Sequence, residues 1–224
     1  MKVSSKKVSE HREALLTTAN RLLQERGFDG AAVADICREA GLTQGALYGQ
    51  FKSKDALAAQ AIRRTCEEGA AVWAKLRDEG PDALSAFIDA YLCETHAMDP
   101  GMGCSLAACV SEIGRQDAAI GAAYAEGFRR MSDLVRHALP PGTPPGEAQR
   151  RAIALLTGMV GALAIARALE KADPELSRDV LAAAREELKR LAFAPRSVPL
   201  NPEVPASSPA SSTRSRTKIE HQDH

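Results

Sequence analysis

The 224-residue chain is poor in aromatic residues, and it lacks the patterns of a β-sheet or disulfide-rich protein. Aromatic residues make up 4% of it, and no stretch alternates β-branched with polar residues as a half-buried strand would. The cysteines are odd in number, dispersed and in no CxxC pairing: Cys37, Cys66, Cys93, Cys104 and Cys109. This excludes a disulfide framework and indicates a reducing, cytoplasmic compartment. The expected fold class is all-α.

Signals for a leader peptide, a membrane span or a metal site are also missing. The N-terminus is basic but has no apolar core segment. The longest uncharged apolar run, Ala152 to Ala166, is short for a membrane span and is more typical of a buried helix. The five histidines show no ligand spacing with cysteines or carboxylates. We therefore expect a soluble protein with no membrane partner, no metal and no cofactor.

The net charge is zero, but its distribution is uneven. Residues 1–64 hold 11 Lys and Arg against 7 Asp and Glu, whereas the rest holds 18 against 22. A basic first part on an acidic body favours a polyanion as the partner of that first part. A protein that compacts DNA non-specifically would normally be far more basic than this neutral chain.

Apolar spacing and turn residues predict nine helices followed by a tail. Their approximate ranges are 10–26, 33–40, 43–51, 54–78, 81–98, 104–115, 117–139, 147–171 and 173–191. The Pro/Ser-rich residues 195–224 are predicted to be disordered. The expected organisation is a flexible arm (1–9), a DNA-binding domain (10–52), a helical ligand-binding and dimerisation domain (53–194) and the tail. The basic arm either adds minor-groove contacts or is a solvated end.

Residues 40–57, AGLTQGALYGQFKSKDAL, join two short helices through a tight turn. Gly41 fits a left-handed turn, and Thr43 is a good N-cap for the following helix. This spacing predicts a helix-turn-helix, whose second helix enters the DNA major groove.

Two glycines, Gly45 and Gly49, stand on the predicted exposed face of that second helix, although each interior glycine costs about 1 kcal/mol relative to alanine. Helical spacing puts Leu47 and Phe51 on the opposite, buried side. Either the glycines let the backbone approach DNA closely, or they relieve crowding against the preceding helix.

Residues 15–62 resemble the DNA-binding region of the tetracycline-repressor (TetR) family of bacterial transcriptional regulators. The resemblance rests on the apolar first helix ending in Gly27-Phe28, on ADICREAGLTQGALY and on FKSKDAL. It implies base and phosphate contacts at the end of the first helix of the motif, along its second helix and at the start of the fourth helix. The residues at these positions are Arg38, Thr43, Gln44, Gly45, Tyr48, Gln50 and Lys54. At position 50 this chain has glutamine where the family pattern often has histidine, so a cationic contact is lost there.

The C-terminal part offers a dimer surface and a ligand region. The apolar helix around residues 152–166 is either an interface helix or a buried intramolecular one, and the resemblance favours an interface made by the last two helices. The candidate interface residues are Gly158, Gly161, Ala162, Ala166, Leu181 and Leu188. Candidate wall residues of an effector cavity, or ordinary core residues, are Phe87, Tyr91, Met98, Met102, Tyr124, Phe128 and Met131.

Cys104 is predicted to open a helix, a position that favours the thiolate. It is either a reactive thiol or a small packed residue. The leading hypothesis is therefore a dimeric, ligand-responsive repressor of operator DNA, released by a small-molecule effector. The alternatives are a Cys104-based sensor of electrophiles or oxidants and, with no His or carboxylate placed to serve it, an all-α cysteine-dependent enzyme.

Overall fold

The computed structural model describes residues 5–77, 80 and 82–195, and this part of the chain is built from helices. Within it lie ten α-helices: α1 Ser5–Gly30, α2 Val33–Glu39, α3 Gln44–Tyr48, α4 Lys54–Arg77, α5 Ala83–Tyr91, α6 Glu94–Met98, α7 Ser105–Cys109, α8 Ala118–Ala138, α9 Pro145–Leu169 and α10 Pro174–Phe193. Two 3-10 turns, Pro100–Met102 and Ile113–Arg115, flank α7. The prediction of an all-α fold is confirmed.

The helix count exceeds the predicted nine because one predicted helix is divided. The helix expected over 81–98 breaks where Leu92 leaves helical geometry (φ −97°, ψ 43°) and Cys93 is extended. The helix expected over 104–115 ends at Cys109, and a 3-10 turn follows. The segment between α5 and α8 is therefore made of short helices and turns, which can shift position more easily than a long helix.

The first helix begins at Ser5, earlier than the predicted Glu10, so residues 5–9 of the expected flexible arm are helical. No glycine or proline interrupts this stretch, and Lys6 and Glu10 form an i,i+4 ion pair at 4.0 Å. Residues 1–4 and the predicted disordered tail beyond Pro195 lie outside the described residues.

A kink at Gly27 divides α1 near its end. Gly27 has φ 72° and ψ −179°, a left-handed conformation that strongly favours glycine. The sequence predicted that the helix would stop here, whereas helical structure resumes to Gly30 after the kink. Phe28, just after the kink, is 3% exposed and anchors the end of α1 in the core.

Helices α1 to α3 form the small N-terminal domain, and α4 continues from it into the larger helical domain. Leu22, Ile36 and Leu47 are buried in the small domain, and Leu57 and Ile62 of α4 extend the same hydrophobic cluster. The described residues up to 194 form one compact unit. The two predicted domains therefore share a continuous core.

The larger domain is a bundle in which α4 packs on α8, and α9 packs on α8 and α10. The α4–α8 crossing is close at Gly127, where an added Cβ would overlap the Cys66 Sγ. Helix α9 is long and apolar enough to cross a membrane (mean hydropathy 2.0), a test that core helices of soluble proteins also pass. Its Leu155 and Leu163 are fully buried against the neighbouring helices.

Candidate DNA-binding surface and effector region

The turn between α2 and α3 is set by Gly41, which has φ 67°. Its N–H donates to the Arg38 carbonyl at 3.1 Å, and the Leu42 N–H donates to the Cys37 carbonyl at 2.8 Å, which satisfies the end of α2. Thr43 then caps α3, because its hydroxyl accepts from the Ala46 N–H at 3.2 Å. The predicted turn and N-cap are confirmed.

The outer face of α3 carries small and polar groups. Gln44 and Gly45 are exposed, Tyr48 is 53% exposed, and Leu47 is fully buried beneath them. A Cβ on Gly45 would meet Thr43 Oγ1 at 3.7 Å, an ordinary contact. Crowding therefore does not explain the glycine at position 45.

Gly49 has a more local explanation. It is the C-cap of α3, and an added Cβ would lie 3.3 Å from the Gly45 carbonyl oxygen, which is a tight approach. Helix α3 thus ends at Tyr48, earlier than the predicted Phe51. Both glycines are exposed, and Gly45 is the one for which local crowding gives no explanation.

The cationic and amide groups predicted to meet phosphates differ in their surroundings. The Arg38 side chain is 68% exposed and pairs with Asp35 at 2.5 Å. The Lys54 ammonium donates to the Phe28 carbonyl, and the Gln50 Oε1 is buried without a hydrogen-bond partner. Lys52, exposed in the loop before α4, was not among the predicted residues, although it stands in the same FKSK segment.

Helix α1 is tied to the larger domain through the buried carboxamide of Gln24. With its oxygen facing the Ser105 hydroxyl at 3.0 Å, its nitrogen donates to the carbonyls of Gly103, at 3.1 Å, and Pro100. In this orientation the oxygen also accepts from the Asn20 amide at 2.8 Å. The residues before and within α7 are therefore coupled to α1 by a buried polar network.

A second tie holds the kinked end of α1. The Glu112 carboxylate accepts from the Phe28 N–H at 2.8 Å, and an added Cβ on Gly27 would lie 2.5 Å from it. Because Lys54 binds the Phe28 carbonyl, this peptide segment is held from both sides. Sequence reasoning missed Glu112, since nothing in its neighbourhood on the chain points to α1.

The predicted effector residues divide into interior and exterior groups. Phe87, Tyr91 and Met131 are buried, while Tyr124 and Phe128 are partly buried against the core. Met98 and Met102 are 66% and 81% exposed, so the structure places them on the surface instead of on an interior wall.

A row of rings crosses the interior of the larger domain. The ring centroids of Trp73 and Phe87 are 4.1 Å apart, those of Phe87 and Tyr91 are 5.9 Å apart, and Tyr91 meets His96 edge-on at 4.8 Å. Trp73 and His96 were missed from the sequence. Trp73 is distant along the chain from Phe87, the ring that it contacts, whereas His96 is close along the chain to Tyr91.

His96 connects α5 to the start of α7. One ring nitrogen, Nδ1, lies 2.7 Å from the Tyr91 carbonyl, and Nε2 accepts from the Cys104 N–H at 3.2 Å. These two contacts require the neutral tautomer with its proton on Nδ1, which then donates to the carbonyl. Burial lowers the pKa of His96, which favours this neutral form.

Arg167 of α9 reaches the same place. Its Nη2 donates to the His96 carbonyl at 2.9 Å, while Nε and Nη1 are buried without a hydrogen-bond partner. The Tyr91 hydroxyl, beside the Cys104 thiol, also lacks a partner of normal geometry, and burial raises its pKa well above the ordinary value. Burial lowers the pKa of Arg167. We call Tyr91, His96, Cys104 and Arg167 the Arg167 cluster.

Arg167 directly follows the apolar run Ala152 to Ala166, and it was not among the predicted functional residues. An arginine two residues before the end of a buried helix was the available signal, because an arginine inside a core needs a partner. Of the predicted residues, Tyr91 and Cys104 belong to this cluster. Burial raises the pKa of the neighbouring thiols Cys66 and Cys109 to about 12, which makes them poor nucleophiles.

Most of the predicted interface residues point into the protomer. A Cβ on Gly158 would lie 2.7 Å from the Leu188 side chain, and Ala162, Ala166 and Leu181 are buried. Gly161 faces open space. The outward side of α9 instead exposes Ile153 (42%) and Ile165 (54%).

Comparison with known proteins agrees with this architecture. Residues 15–61 match the family described as bacterial regulatory proteins, tetR family, and residues 81–176 match the C-terminal domain of LmrA/YxaF-like transcriptional regulators. HTH-type transcriptional regulator Rv0196 of Mycobacterium tuberculosis (strain ATCC 25618 / H37Rv) is 31% identical over 163 residues, which is 70% of this chain and 84% of the relative. The chain is a TetR-family transcriptional regulator.

Solved structures share the fold of this TetR-family protein. E. coli NemR in its reduced form superposes with a TM-score of 0.71 at 24% identity, over 84% of this chain and 99% of NemR. FadR from Bacillus subtilis in complex with stearoyl-CoA gives 0.63 at 14% identity, over 82% and 99% of the two chains. The TetR family consists of DNA-binding regulators, which is consistent with a non-enzymatic protein.

Proposed function

We propose that this regulator is a homodimeric repressor that binds a pseudo-palindromic operator and is released by a small molecule bound in its C-terminal domain. The observation that carries the proposal is the outer face of α3, which presents Gln44, Gly45 and Tyr48 to solvent over the buried Leu47. A single helix-turn-helix contacts a small area of DNA, so specific binding normally requires two copies.

In the proposed complex, the residues of α3 divide between reading bases and fixing position. The Gln44 amide can pair with an adenine edge in the major groove. The hydroxyls of Thr43 and Tyr48 can donate to phosphates, and the absent side chain of Gly45 permits close approach of the backbone. Lys52 adds a phosphate contact next to them.

Lys54 and Arg38 need a change of partner before they can contribute. Lys54 would have to leave the Phe28 carbonyl, and Arg38 would have to leave Asp35. Both changes exchange a local contact for a phosphate, which the high negative charge density of DNA favours.

The proposed dimer surface is the outward face of α9 together with α10. Ile153 and Ile165 are exposed and Gly161 faces open space, at spacings of two turns and one turn along α9. The stretch between Arg151 and Arg167 carries no charged side chain. Small residues permit close helix contact, and a pair of such helices from each protomer forms a four-helix bundle.

The proposed switch runs through the two ties on α1. Gln24 binds the backbone of Pro100 and Gly103, and Glu112 binds that of Phe28. An effector that displaces residues 100–112 would therefore move α1 and change the spacing of the two recognition helices. FadR, which has the same fold, is described in complex with stearoyl-CoA, and this supports an organic effector for the present chain.

A second candidate mechanism is modification of the Cys104 thiol by an oxidant or electrophile. Cys104 is partly exposed, and Arg167 and Tyr91 lie beside it, whereas Cys66 and Cys109 are buried. Cys104→Ser separates the two mechanisms, because it should still release DNA in response to a reversible effector but should not respond to a thiol reagent.

Selection of binding sites from a random duplex pool tests the proposed function. The full-length protein should enrich an inverted repeat, and gel retardation with the enriched duplex should show two protomers on each site. Enrichment of no sequence above background, or of a single half-site bound by one protomer, would disprove the dimeric repressor.

A further inference from the structure

Hydrogen-bond donors without acceptors gather around Arg167 in the interior of the C-terminal domain. The Nε and Nη1 of Arg167 are buried and unpartnered, and the hydroxyl of Tyr91, a residue that is 7% exposed, lacks a partner as well. Further along the row of rings, the Trp73 Nε1 is also buried without a hydrogen-bond partner. Buried donors are normally paired, because leaving them unpaired costs their solvation free energy.

The acceptors near Arg167 leave two of its nitrogens, Nε and Nη1, without a hydrogen bond. The His96 carbonyl takes Nη2 of Arg167, and its Nε2 takes the Cys104 N–H. Asp99 interacts with Arg167 electrostatically, but its carboxylate accepts from the Met102 N–H at 3.2 Å. In the described part of the chain, no carboxylate is hydrogen-bonded to the Nε or the Nη1 of this guanidinium.

We propose that the Arg167 cluster binds the carboxylate of a small apolar acid, and that such an acid is the effector of the repressor proposed above, on which this inference rests. A planar guanidinium is the side chain best suited to a carboxylate, and charge-assisted hydrogen bonds to it are stronger than neutral ones. The Tyr91 hydroxyl supplies a further donor. The adjoining rings of Phe87 and Trp73 provide apolar contact for the body of the acid.

The segment that the acid must displace to reach Arg167 also links acid binding to the release of DNA. Residues 94–104, the cover segment, lie over the guanidinium: its Nη2 binds the His96 carbonyl, and an added Cβ on Gly103 would overlap that nitrogen. The cover segment contains a five-residue helix and a three-residue turn, so a small ligand can displace it more easily than a long helix. A carboxylate that binds Nη2 of Arg167 together with Nε or Nη1 competes with the His96 carbonyl for Nη2 and shifts the cover segment. Since Gly103 and Pro100 bind Gln24, the shift passes to α1.

Calorimetric titration of the full-length protein with two matched pairs of probes tests this assignment. Benzoate and octanoate supply the carboxylate, and benzamide and octanamide are their uncharged counterparts. At least one acid should bind, its amide should bind at least tenfold more weakly, and the bound acid should release the selected operator duplex. Arg167→Gln should raise the Kd of that acid roughly 10- to 100-fold, the loss expected for hydrogen bonds to a charged group. Arg130→Gln is the matched control, since Arg130 is 53% exposed on α8, and it should leave the Kd unchanged.

Gel retardation without any acid keeps this inference separate from the proposed repressor function. Wild type and Arg167→Gln should both retard the selected duplex, which shows that the variant is folded. If Arg167→Gln does not fold, Tyr91→Phe decides, because it removes a single hydroxyl and should still weaken acid binding severalfold. The acid site would be refuted if the protein bound the operator but responded to neither acid, or if it bound acid and amide with equal affinity. Either result would leave the proposed repressor function standing. If Arg167→Gln slowed the alkylation of Cys104 by iodoacetamide and wild type bound neither acid, the acid site would be refuted. The guanidinium would then act on the Cys104 thiol instead.

Discussion

The Glu112 carboxylate accepts a hydrogen bond of 2.8 Å from the backbone N–H of Phe28, immediately after the kink at Gly27. Because Phe28 is 3% exposed, this N–H has little access to water. The contact joins the helix-turn-helix domain to the larger domain at the place where α1 changes direction. Glu112 therefore fixes the orientation of the DNA-binding domain as well as contributing to stability.

Glu112→Ala should destabilise the protein by about 1–3 kcal/mol, because it leaves the Phe28 N–H buried and unpaired. Glu112→Gln is the matched control: its amide oxygen still accepts this hydrogen bond, so a smaller loss is expected. Urea denaturation measures both values, and hydrogen exchange should show faster exchange of the Phe28 amide in the alanine variant. Unchanged protection of that amide would show that Glu112 does not hold the end of α1.

Gln44→Ala and Lys52→Ala should weaken DNA binding in different ways. Loss of the Gln44 amide removes base recognition, so it should cost about 1–3 kcal/mol on the selected operator and much less on random DNA. Loss of Lys52 should weaken both to a similar extent and lower the slope of log K against log salt by about 1. Salt titrations by fluorescence anisotropy provide the measurement. Equal effects of Gln44→Ala on operator and random DNA would contradict its role in reading bases.

Gly45→Ala should stabilise α3 by up to about 1 kcal/mol and weaken operator binding. The added methyl group has room in the free protein, where Thr43 Oγ1 would be its neighbour at 3.7 Å, so any loss of affinity must arise in the complex. Gly69→Ala is the control: Gly69 lies in the middle of α4, and an added Cβ has nothing within 4 Å. It should give similar stabilisation with unchanged DNA binding. A Gly45→Ala variant that binds the operator like wild type would show that close backbone approach is not the reason for this glycine.

The helix-turn-helix could be predicted from sequence because short-range contacts determine it. The Gly41 turn, the Thr43 cap and the burial of Leu47 each depend on residues within one or two turns of the same segment. The break at Leu92 was missed for a related reason: no glycine or proline stands there, and tertiary packing overrides the apolar spacing that predicted one continuous helix.

The Arg167 cluster could not be assembled in the same way. Arg167 meets His96 across 71 positions of the chain, and Gln24 meets Ser105 across 81. Phe87 and Tyr91, predicted to be cavity walls or core residues, are buried, whereas Met98 and Met102 lie on the surface, because residue type alone cannot tell which methionine faces inward. The small residues Ala162 and Ala166 were selected for close helix contact, and they make that contact within the protomer, while another side of α9 stays exposed.

Acidification should loosen the contact between α5 and the start of α7 through His96. Burial lowers the pKa of this imidazole in the folded protein below the ordinary value of 6.5, while the unfolded chain keeps that value. Above pH 6.5 both states are neutral and the full stability is present. Below pH 6.5 the imidazole of the unfolded chain binds a proton while that of folded His96 stays neutral. The unfolding free energy therefore decreases as the pH is lowered, until the folded pKa is passed. The direction agrees with the hydrogen bonds, since a proton on Nε2 would remove the acceptor of the Cys104 N–H and place a second cation beside Arg167.

His96→Gln separates this titration from the other ionisable groups, because glutamine can donate and accept hydrogen bonds but does not titrate in this range. The slope of unfolding free energy against pH just below pH 6.5 should be lower in the variant, by no more than the equivalent of one proton. An NMR titration of the wild-type ring carbons should place the folded His96 pKa below 6.5. A folded value at or above 6.5, or identical slopes in wild type and variant, would mean that the imidazole is solvated and that acid does not act through this contact.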